Sequence, residues 1–358
     1  MISVIGAGPA GCFAAISAIK NTKEKVEIFE YQNLKKKKVK CAGLVSISGI
    51  KKLGISLPDG CILNKVRGAK FYSPSGKEVI IDGKEKKAYV LDRREFDNFL
   101  LNEAIASGVK FKNEMVKNLR KIKSERIILA TGTNYNLQRK FNLPYPKKFL
   151  YGAQYEMKNL ECDDEFVELH FNVPGFFSWI IPLGDGCGRV GLCTVEYKPL
   201  MYLKNFIKKL EKEGRLKSRN IKEKNFGIIP IYNPKMRTEH KKIMLVGDAA
   251  AHVKATTGGG IVLGCLAAKF SYHDEYEKKW RKKIGRELYI HLMIKKFLDK
   301  LSDRNMERLF HLIEESKSVI EKEGDMDIAS KLILSYTKKP RIMLKFLYKL
   351  PYFLRDLL

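Results

Sequence analysis

The chain has 358 residues, 45% of them hydrophobic, which is enough for two domains, each with its own core. Its 68 basic and 40 acidic side chains give a formal charge of +28, which favours anionic partners such as phosphates, anionic membranes or nucleic acid. The seven cysteines include no Cys-x-x-Cys pair, which argues against a zinc ribbon or a bacterial-type iron–sulfur site, and no metal is expected. Their scattered spacing indicates a reducing cytosol, and no apolar run is long enough to predict a membrane-spanning helix.

The first half of the chain alternates between buried strands and helices. Residues 1–5, 26–29 and 126–130 are predicted as buried strands, and a helix follows the turn that begins at Gly6. Residues 66–90 hold two alternating segments split by Pro, Ser and Gly, which predicts a hairpin. The helical pattern of residues 94–107 comes next along the chain. The four lysines at 35–38 are predicted to form a charged loop tip.

The pattern changes after residue 150. Short alternating runs fill residues 150–195 and predict antiparallel sheet, whereas residues 241–246 return to a buried strand that precedes a glycine-rich loop. Beyond residue 266 the pattern is almost wholly helical, with predicted interruptions at Gly285 and Gly324. The predicted fold class is α/β (α+β overall), a Rossmann-like domain interrupted by an antiparallel β-sheet substrate domain, with a helical C-terminal part. The predicted boundaries are 1–65, 91–149 and 236–270 for the first, 66–90 and 150–235 for the second, and 271–358 for the third.

A dinucleotide fingerprint lies between the first strand and the first helix. The sequence GAGPAG at 6–11 fits G-x-G-x-x-G, in which Gly6 permits the tight turn and Gly8 lets a pyrophosphate approach the backbone. Gly11 lets the helix pack closely on the strand, so that its N-terminal N–H groups point at phosphate. Glu30, at the end of the second strand, is placed to accept hydrogen bonds from both ribose hydroxyls. NAD and FAD proteins share this fingerprint.

Two further strand ends favour FAD over NAD. Residues 127–132 end in Ala-Thr-Gly and residues 245–250 contain Gly-Asp-Ala, and both resemble patterns of the large FAD-dependent family that includes the aromatic hydroxylases. In that family the Asp of Gly-Asp hydrogen-bonds the ribityl chain, so Asp248 is the residue most specific to FAD. The three glycines at 258–260 would let backbone N–H groups approach the flavin ring and phosphates.

Within that superfamily the chain resembles the geranylgeranyl reductases, flavoenzymes that saturate the isoprenoid chains of archaeal ether lipids or of chlorophyll precursors. Four segments carry the match. They are VKCAG at 39–43 (the family's Cys-Gly-Gly segment), DRREFD at 92–97 (its Asp-Arg…Phe-Asp helix start), PGFFSWIIP at 174–182 (its Tyr-x-Trp-x-Phe-Pro strand) and KATTGGG at 254–260 (its Lys-Pro-Thr-Thr-Gly-Gly-Gly loop). The resemblance covers residues 1 to about 310, and the departures from it are Ala42, Phe177, Ile181 and Ala255.

The resemblance implies an FAD-dependent reductase that saturates the C=C bonds of geranylgeranyl chains of archaeal-type ether lipids. It implies an external electron donor, which would be reduced ferredoxin, a deazaflavin or NAD(P)H. The motifs and the resemblance together assign these residues to the FAD site: Gly6, Gly8, Ala10, Gly11, Glu30, Cys41, Ala42, Gly43, Arg93, Val116, Asp248, Gly258, Gly259, Gly260 and Ile261. Val116 is assigned only through a backbone contact to adenine.

The reaction needs a proton donor, because hydride from reduced flavin cannot simply add to an isolated, unpolarised alkene. Cys41 is the candidate catalytic residue, and the alternative is a small packing residue beside the flavin. His170 and His252 are further titratable candidates, although a lone histidine is more often structural.

An apolar cluster on the predicted sheet is the candidate substrate site. Phe177 and Trp179, with Phe171 and Phe176, would form the wall of a tunnel for a prenyl chain, and ordinary sheet core is the alternative. The basic, apolar tail at 341–358 would lie in a membrane interface or pack on the body of the protein.

Two other functions remain open on the sequence alone. An FAD-dependent monooxygenase of an aromatic or apolar substrate would share the fold and the Gly-Asp segment. A nucleic-acid-binding protein would suit the charge, but it needs a clustered basic face or a recognised module. The sequence contains neither feature, so no nucleic-acid partner is expected.

Overall fold

The structure is a computed structural model that describes residues 1–33 and 40–357, so the predicted loop tip at 35–38 and Val39 lie outside the described residues. The strands are β1 Ile2–Ile5, β2 Val26–Phe29, β3 Leu44–Ser46, β4 Ile62–Val66, β5 Gly68–Tyr72, β6 Glu78–Asp82, β7 Ala88–Leu91, β8 Lys110–Lys112, β9 Arg126–Leu129, β10 Phe149–Leu160, β11 Phe166–Val173, β12 Phe176–Gly184, β13 Cys187–Thr194, β14 Leu216–Pro230, β15 Glu239–His240 and β16 Ile243–Leu245. The helices are α1 Pro9–Asn21, α2 Ile47–Leu53, α3 Arg93–Ala106, α4 Asn136–Lys140, α5 Pro199–Lys212, α6 Ile261–Ala268, α7 Tyr276–Trp280, α8 Arg286–Leu298, α9 Asp303–Glu315, α10 Lys317–Glu323, α11 Ala329–Thr337 and α12 Pro340–Leu357.

A six-stranded sheet in the order β15-β16-β9-β1-β2-β8 forms the first layer. β1 pairs in parallel with β2 on one side and β9 on the other, whereas β15 and β16 are antiparallel. All four residues of β1 are buried, as expected for a strand at the centre of a parallel sheet. The carboxyl ends of β1, β9 and β16 therefore meet at one edge, where open α/β sheets bind their ligands.

A seven-stranded sheet in the order β14-β10-β13-β12-β11-β5-β6 forms the second layer. Its neighbours are antiparallel except for β11 and β5, which run parallel. The predicted hairpin corresponds to β5 and β6, but β7 joins β3 and β4 in a separate three-stranded antiparallel sheet. Helix α5 packs on one face of β10, β13 and β14, so the other face of the sheet is left to line a cavity.

The C-terminal region is helical, as the pattern predicts. The predicted interruption at Gly285 is wrong, because a π-helical turn over Arg281–Gly285 joins α7 directly to α8. Gly324 does end α10, and its N–H donates to the Ile320 carbonyl over 2.8 Å.

These layers confirm the predicted fold class, a Rossmann-like domain interrupted by an antiparallel sheet, with a helical C-terminal part. Of the helices in the described part of the chain, none combines the length and the apolar character needed to cross a bilayer.

Candidate active site

One cavity of about 1160 Å³ is lined by residues that follow strands of the six-stranded sheet, by the seven-stranded sheet and by the C-terminal helices. It begins at the carboxyl ends of β1, β9 and β16 and continues between the seven-stranded sheet and helices α8–α12. Its volume exceeds the roughly 300–1,000 Å³ of typical small-molecule pockets, so it has room for more than one ligand.

The glycine turn after β1 has the geometry that its fingerprint requires. Gly6 has φ +105°, and a Cβ there would lie 2.3 Å from the Ala130 carbonyl oxygen. A Cβ on Gly11 would lie 1.9 Å from the Gly6 carbonyl oxygen, so these two positions need glycine to keep α1 against the sheet. Gly8 has nothing within 4 Å of a Cβ and lines the cavity with Ala10. The N-terminus of α1 is therefore open to a phosphate group.

Glu30 and Val116 occupy different surroundings. Glu30 is 6% exposed, and its carboxylate accepts hydrogen bonds from the backbone N–H groups of Ala7 (3.4 Å) and Gln32 (3.0 Å). The carboxylate is thus held directly beside the glycine turn. Val116 packs against the core cluster that contains Ile5, and it does not line the cavity.

Asp248 lines the cavity from the turn that follows β16. Burial raises the pKa of its carboxyl, and the positive charge of Arg93 opposes this shift. Among the residues that the structure describes, no side chain and no backbone N–H donates a hydrogen bond to the carboxylate. Asp248 is partly exposed on the cavity surface, so its unpaired oxygens can accept hydrogen bonds from the hydroxyl groups of a bound ligand.

The segment 41–43 forms another part of the cavity wall. Gly43 has φ +78°, and its N–H donates to Cys41 Sγ over 3.3 Å. A Cβ on Gly43 would lie 2.6 Å from the Leu91 carbonyl oxygen. The Arg189 guanidinium donates to the Ala42 carbonyl over 2.9 Å. These contacts fix the backbone that follows Cys41.

A buried cation lies beside that thiol. Arg93 lines the cavity and forms an ion pair with Asp97 at 2.9 Å. Burial works against the charged guanidinium, but the pKa of Arg93 is raised because Asp97, followed by Cys41, outweighs burial. Arg93 therefore keeps its positive charge next to the Cys41 thiol.

The glycine-rich loop, residues 254–260, faces the same space. Gly258 has φ +70°, and it lines the cavity together with Gly259, Gly260 and Ile261. A Cβ on Gly259 would lie 3.2 Å from Lys254 Nζ, so a side chain there would crowd the lysine. The loop therefore exposes backbone on its cavity side, as a ring-binding loop requires.

The apolar part of the cavity contains both predicted substrate residues. Phe177 and Trp179 line it, and their ring centroids lie 6.2 Å apart in an edge-to-face arrangement. The Trp179 indole N–H donates to Gln154 Oε1 over 3.0 Å, and the Gln154 amide donates to the Cys41 carbonyl over 3.4 Å. Gln154 thus connects the aromatic wall to the Cys41 segment. Phe171 and Phe176 also line the cavity.

The two histidines considered from the sequence do not line the cavity. His170 lies on the opposite face of the sheet, stacked on Tyr72 at 4.3 Å and 3.1 Å from Glu168. His252 is fully buried against Trp280, and burial, assisted by the charge of Arg281, lowers the pKa of its ring to about 3.

His291, which the sequence analysis did not single out, does line the cavity. Its Nδ1 lies 2.6 Å from the Thr256 hydroxyl. Burial and the nearby Lys254 charge lower the pKa of His291 to about 4, so the ring is neutral at pH 7. No local signal marks this residue, because it lies inside an ordinary amphipathic helix.

Solved structures of other proteins share the fold of this chain. No family model matches the chain. A geranylgeranyl bacteriochlorophyll reductase-like protein from Thermoplasma acidophilum superposes with a TM-score of 0.78 at 22% identity, covering 96% of this chain and 98% of its own. The halogenase PltM, solved in complex with FAD, superposes with a TM-score of 0.64 at 14% identity, covering 90% and 83%. The chain thus has the fold of the FAD-dependent oxidoreductases.

A curated relative narrows this class to one family. The chain is 30% identical to the digeranylgeranylglycerophospholipid reductase of Methanocaldococcus jannaschii over 96% of both chains. The chain belongs to the digeranylgeranylglycerophospholipid reductase family, and the resemblance inferred from its motifs is confirmed.

Proposed function

We propose that the protein is an FAD-dependent reductase that saturates C=C bonds in geranylgeranyl chains of archaeal-type ether lipids. One observation carries the proposal: a single cavity joins a dinucleotide-type glycine turn to a long apolar space lined by aromatic and aliphatic side chains. A monooxygenase of a compact aromatic ring would need only a small part of that space. The relationship to a lipid reductase family supports an extended isoprenoid substrate.

The polar end of the cavity, which holds the glycine turn, Asp248 and the glycine-rich loop, has residues that fit FAD. The open N-terminus of α1 would receive the pyrophosphate, and Glu30 would bind the ribose beside it. The unpaired Asp248 carboxylate would accept hydrogen bonds from the ribityl hydroxyls. The 41–43 segment, Arg93 and the 258–261 backbone would surround the ring, and Val116 would contribute a backbone contact to adenine. When bound, FAD would supply hydride transfer.

The apolar end of the cavity, which holds Phe177 and Trp179, would position the alkene. Phe177 and Trp179 present ring faces and edges to the cavity, and its mainly apolar lining suits an uncharged chain. Gln154 holds the Trp179 indole at a defined distance from the Cys41 segment. Positioning of this kind supplies a large part of catalysis when the substrate carries no charge to bind.

Cys41 is proposed as the proton donor. Cys41 lines the cavity, its carbonyl accepts a hydrogen bond from the Gln154 amide beside Trp179, and the Arg93 guanidinium lies near its thiol. Replacement by Ser retains a proton and by Ala removes it. Full turnover in Cys41→Ala would leave Cys41 only a packing role.

The reductase also needs an electron donor and access to lipid. We propose an external donor, which would be reduced ferredoxin, a deazaflavin or NAD(P)H. We also propose peripheral membrane contact through α12, whose Leu344 and Tyr348 side chains are 65% and 76% exposed while Ile342 and Met343 line the cavity. Its basic residues, including Lys345, suit anionic lipid.

An anaerobic assay tests the proposed function. Dithionite-reduced protein is mixed with a geranylgeranyl glycerophospholipid, and the products are followed by mass spectrometry. Stepwise gains of one hydrogen pair, with reoxidation of the flavin, are the expected result. A flavin that stays reduced until oxygen is admitted would contradict it and favour a monooxygenase.

A further inference from the structure

A short C-terminal segment forms part of the cavity wall near the flavin end. Residues 324–328 connect α10 to α11, and Gly324, Asp325 and Met326 of this segment line the cavity. The Met326 side chain packs in the apolar cluster that also contains Ala42 and Trp179. A residue of the helical region therefore lies among groups assigned to the flavin and to the substrate.

A buried ion pair holds this segment. Lys254 Nζ lies 2.7 Å from Asp327 Oδ1, and the two side chains are only 7% and 3% exposed. The other carboxylate oxygen of Asp327 accepts a hydrogen bond from the Ser46 hydroxyl, which also caps α2. A Cβ on Gly49 would lie 2.6 Å from Asp327 Oδ2, so glycine makes room for the carboxylate.

The same lysine also holds the backbone of Met326. Lys254 Nζ donates to the Met326 carbonyl over 2.6 Å, and Lys254 itself begins the glycine-rich loop. A buried ion pair contributes little net stability compared with well-packed apolar residues, because both charges lose their hydration. Its geometric effect here is specific: it fixes the position of Met326 relative to the loop at the flavin end of the cavity.

A second, more exposed contact supports the other end of the segment. Asp325 accepts hydrogen bonds from the backbone N–H groups of Asp327 (2.8 Å) and Ile328 (3.1 Å), and its carboxylate lies 3.3 Å from Lys52 Nζ. The Lys52 side chain is 36% exposed, so its charge is screened by solvent. Lys52 is therefore a matched control for Lys254.

We infer that Met326 is a specificity-determining residue that contacts the isoprenoid chain, and that the Lys254–Asp327 pair positions it. This inference rests on the proposed function. The unbranched, flexible thioether adapts to irregular surfaces, which suits a chain whose double bonds and methyl branches must each pass the same point. A stiffer or larger side chain at 326 would allow fewer of the double bonds and methyl branches to pass this point.

Met326 variants test the assignment. Met326→Leu conserves volume and is expected to keep binding within about 3-fold. Met326→Trp overfills the wall and is expected to weaken the binding of geranylgeraniol by about 10-fold or more and to leave partially saturated lipid products. Binding is measured on the oxidised, FAD-loaded protein by the change in flavin absorption, and products are measured by mass spectrometry.

Lysine variants test the positioning role. Lys254→Met is expected to shift the product distribution towards partially saturated lipid, whereas Lys52→Met keeps the wild-type distribution. If Lys254→Met does not fold, the Met326 variants decide alone. The assignment is overturned if Met326→Trp binds geranylgeraniol as tightly as the wild type. A further outcome separates the assignment of Met326 from the proposed function. In it, the wild type binds geranylgeraniol, Met326→Trp does not bind it, and neither protein reduces lipid. The proposed function then fails while the assignment of Met326 stands.

Discussion

Replacing Asp248 with Asn should change folding and FAD binding in opposite directions. The carboxylate faces the cavity and receives no hydrogen bond from the described residues, and burial raises its pKa above the ordinary value of 3.8, against the opposing charge of Arg93. The folded state therefore binds a proton more readily than the unfolded state, and the stability of the wild-type apoprotein falls as pH rises through the window above 3.8. Asn carries no charge, so Asp248→Asn removes this dependence.

The magnitudes follow from the same contact. A fully buried polar group without a partner costs about 1–3 kcal/mol. Asp248 is only partly buried and the amide keeps part of the cost, so the apoprotein should gain at most about 1 kcal/mol at pH 7. Hydrogen bonds to a charged group contribute about 1.5–3 kcal/mol, so the Kd for FAD should rise about 10- to 150-fold.

Two measurements check these signs. Urea unfolding of the apoprotein at pH 5 and pH 8 gives the free energy of unfolding, and flavin fluorescence gives the Kd. The exposed Asp59→Asn serves as a control that leaves both unchanged. An apoprotein that is destabilised by Asp248→Asn, or an unchanged Kd for FAD, would refute the placement of this carboxylate as a ligand-binding group.

Three further predictions concern the turn, the aromatic wall and the C-terminal helix. Gly11→Ala should prevent folding of the six-stranded-sheet layer, seen by circular dichroism, because a Cβ on Gly11 meets backbone. Gly8→Ala should fold normally and weaken only FAD binding, because a Cβ on Gly8 meets nothing within 4 Å. Gln154→Leu should release the Trp179 indole and raise the KM for lipid with little change in FAD content; an unchanged KM would contradict this. Leu347→Glu should reduce sedimentation with anionic vesicles while activity on detergent-dispersed lipid persists, and equal sedimentation would contradict the membrane contact.

The features that the sequence predicts well are those with a local backbone cause. The glycine turn could be predicted because its backbone accepts no other residue type. Gly6 combines a positive φ with a close backbone contact, and Gly11 has a close backbone contact. The buried strands could be predicted because a parallel strand covered on both faces is apolar throughout. Asp248 was assigned through the resemblance of its Gly-Asp segment, which comes soon after such a strand, to the FAD-dependent family.

The features that the sequence does not predict depend on distant pairings. Lys254 and Asp327 are 73 positions apart, and the KATTGGG motif that contains Lys254 gives no indication of a carboxylate partner at 327. Gln154 lies 25 positions from Trp179 on a different strand. Gly285 was expected to interrupt a helix, yet the π-helical turn there accommodates it without a break. Side chains that meet only after the layers pack leave no periodic trace in the sequence.

The residues that the sequence predicts and the residues that depend on distant pairings have different roles in the molecule. The elements that build the polar end are β1, β9, β16 and their turns, and the fold as a whole is shared with solved proteins of other chemistry, such as the halogenase PltM. The wall that a substrate would touch comes from β11, β12 and helices α8–α12. A fold carries many chemistries when the residues that face the substrate change around a retained cofactor layer. The Lys254–Asp327 pair joins the glycine-rich loop to the C-terminal wall, so it sets the position of Met326 relative to the cofactor layer.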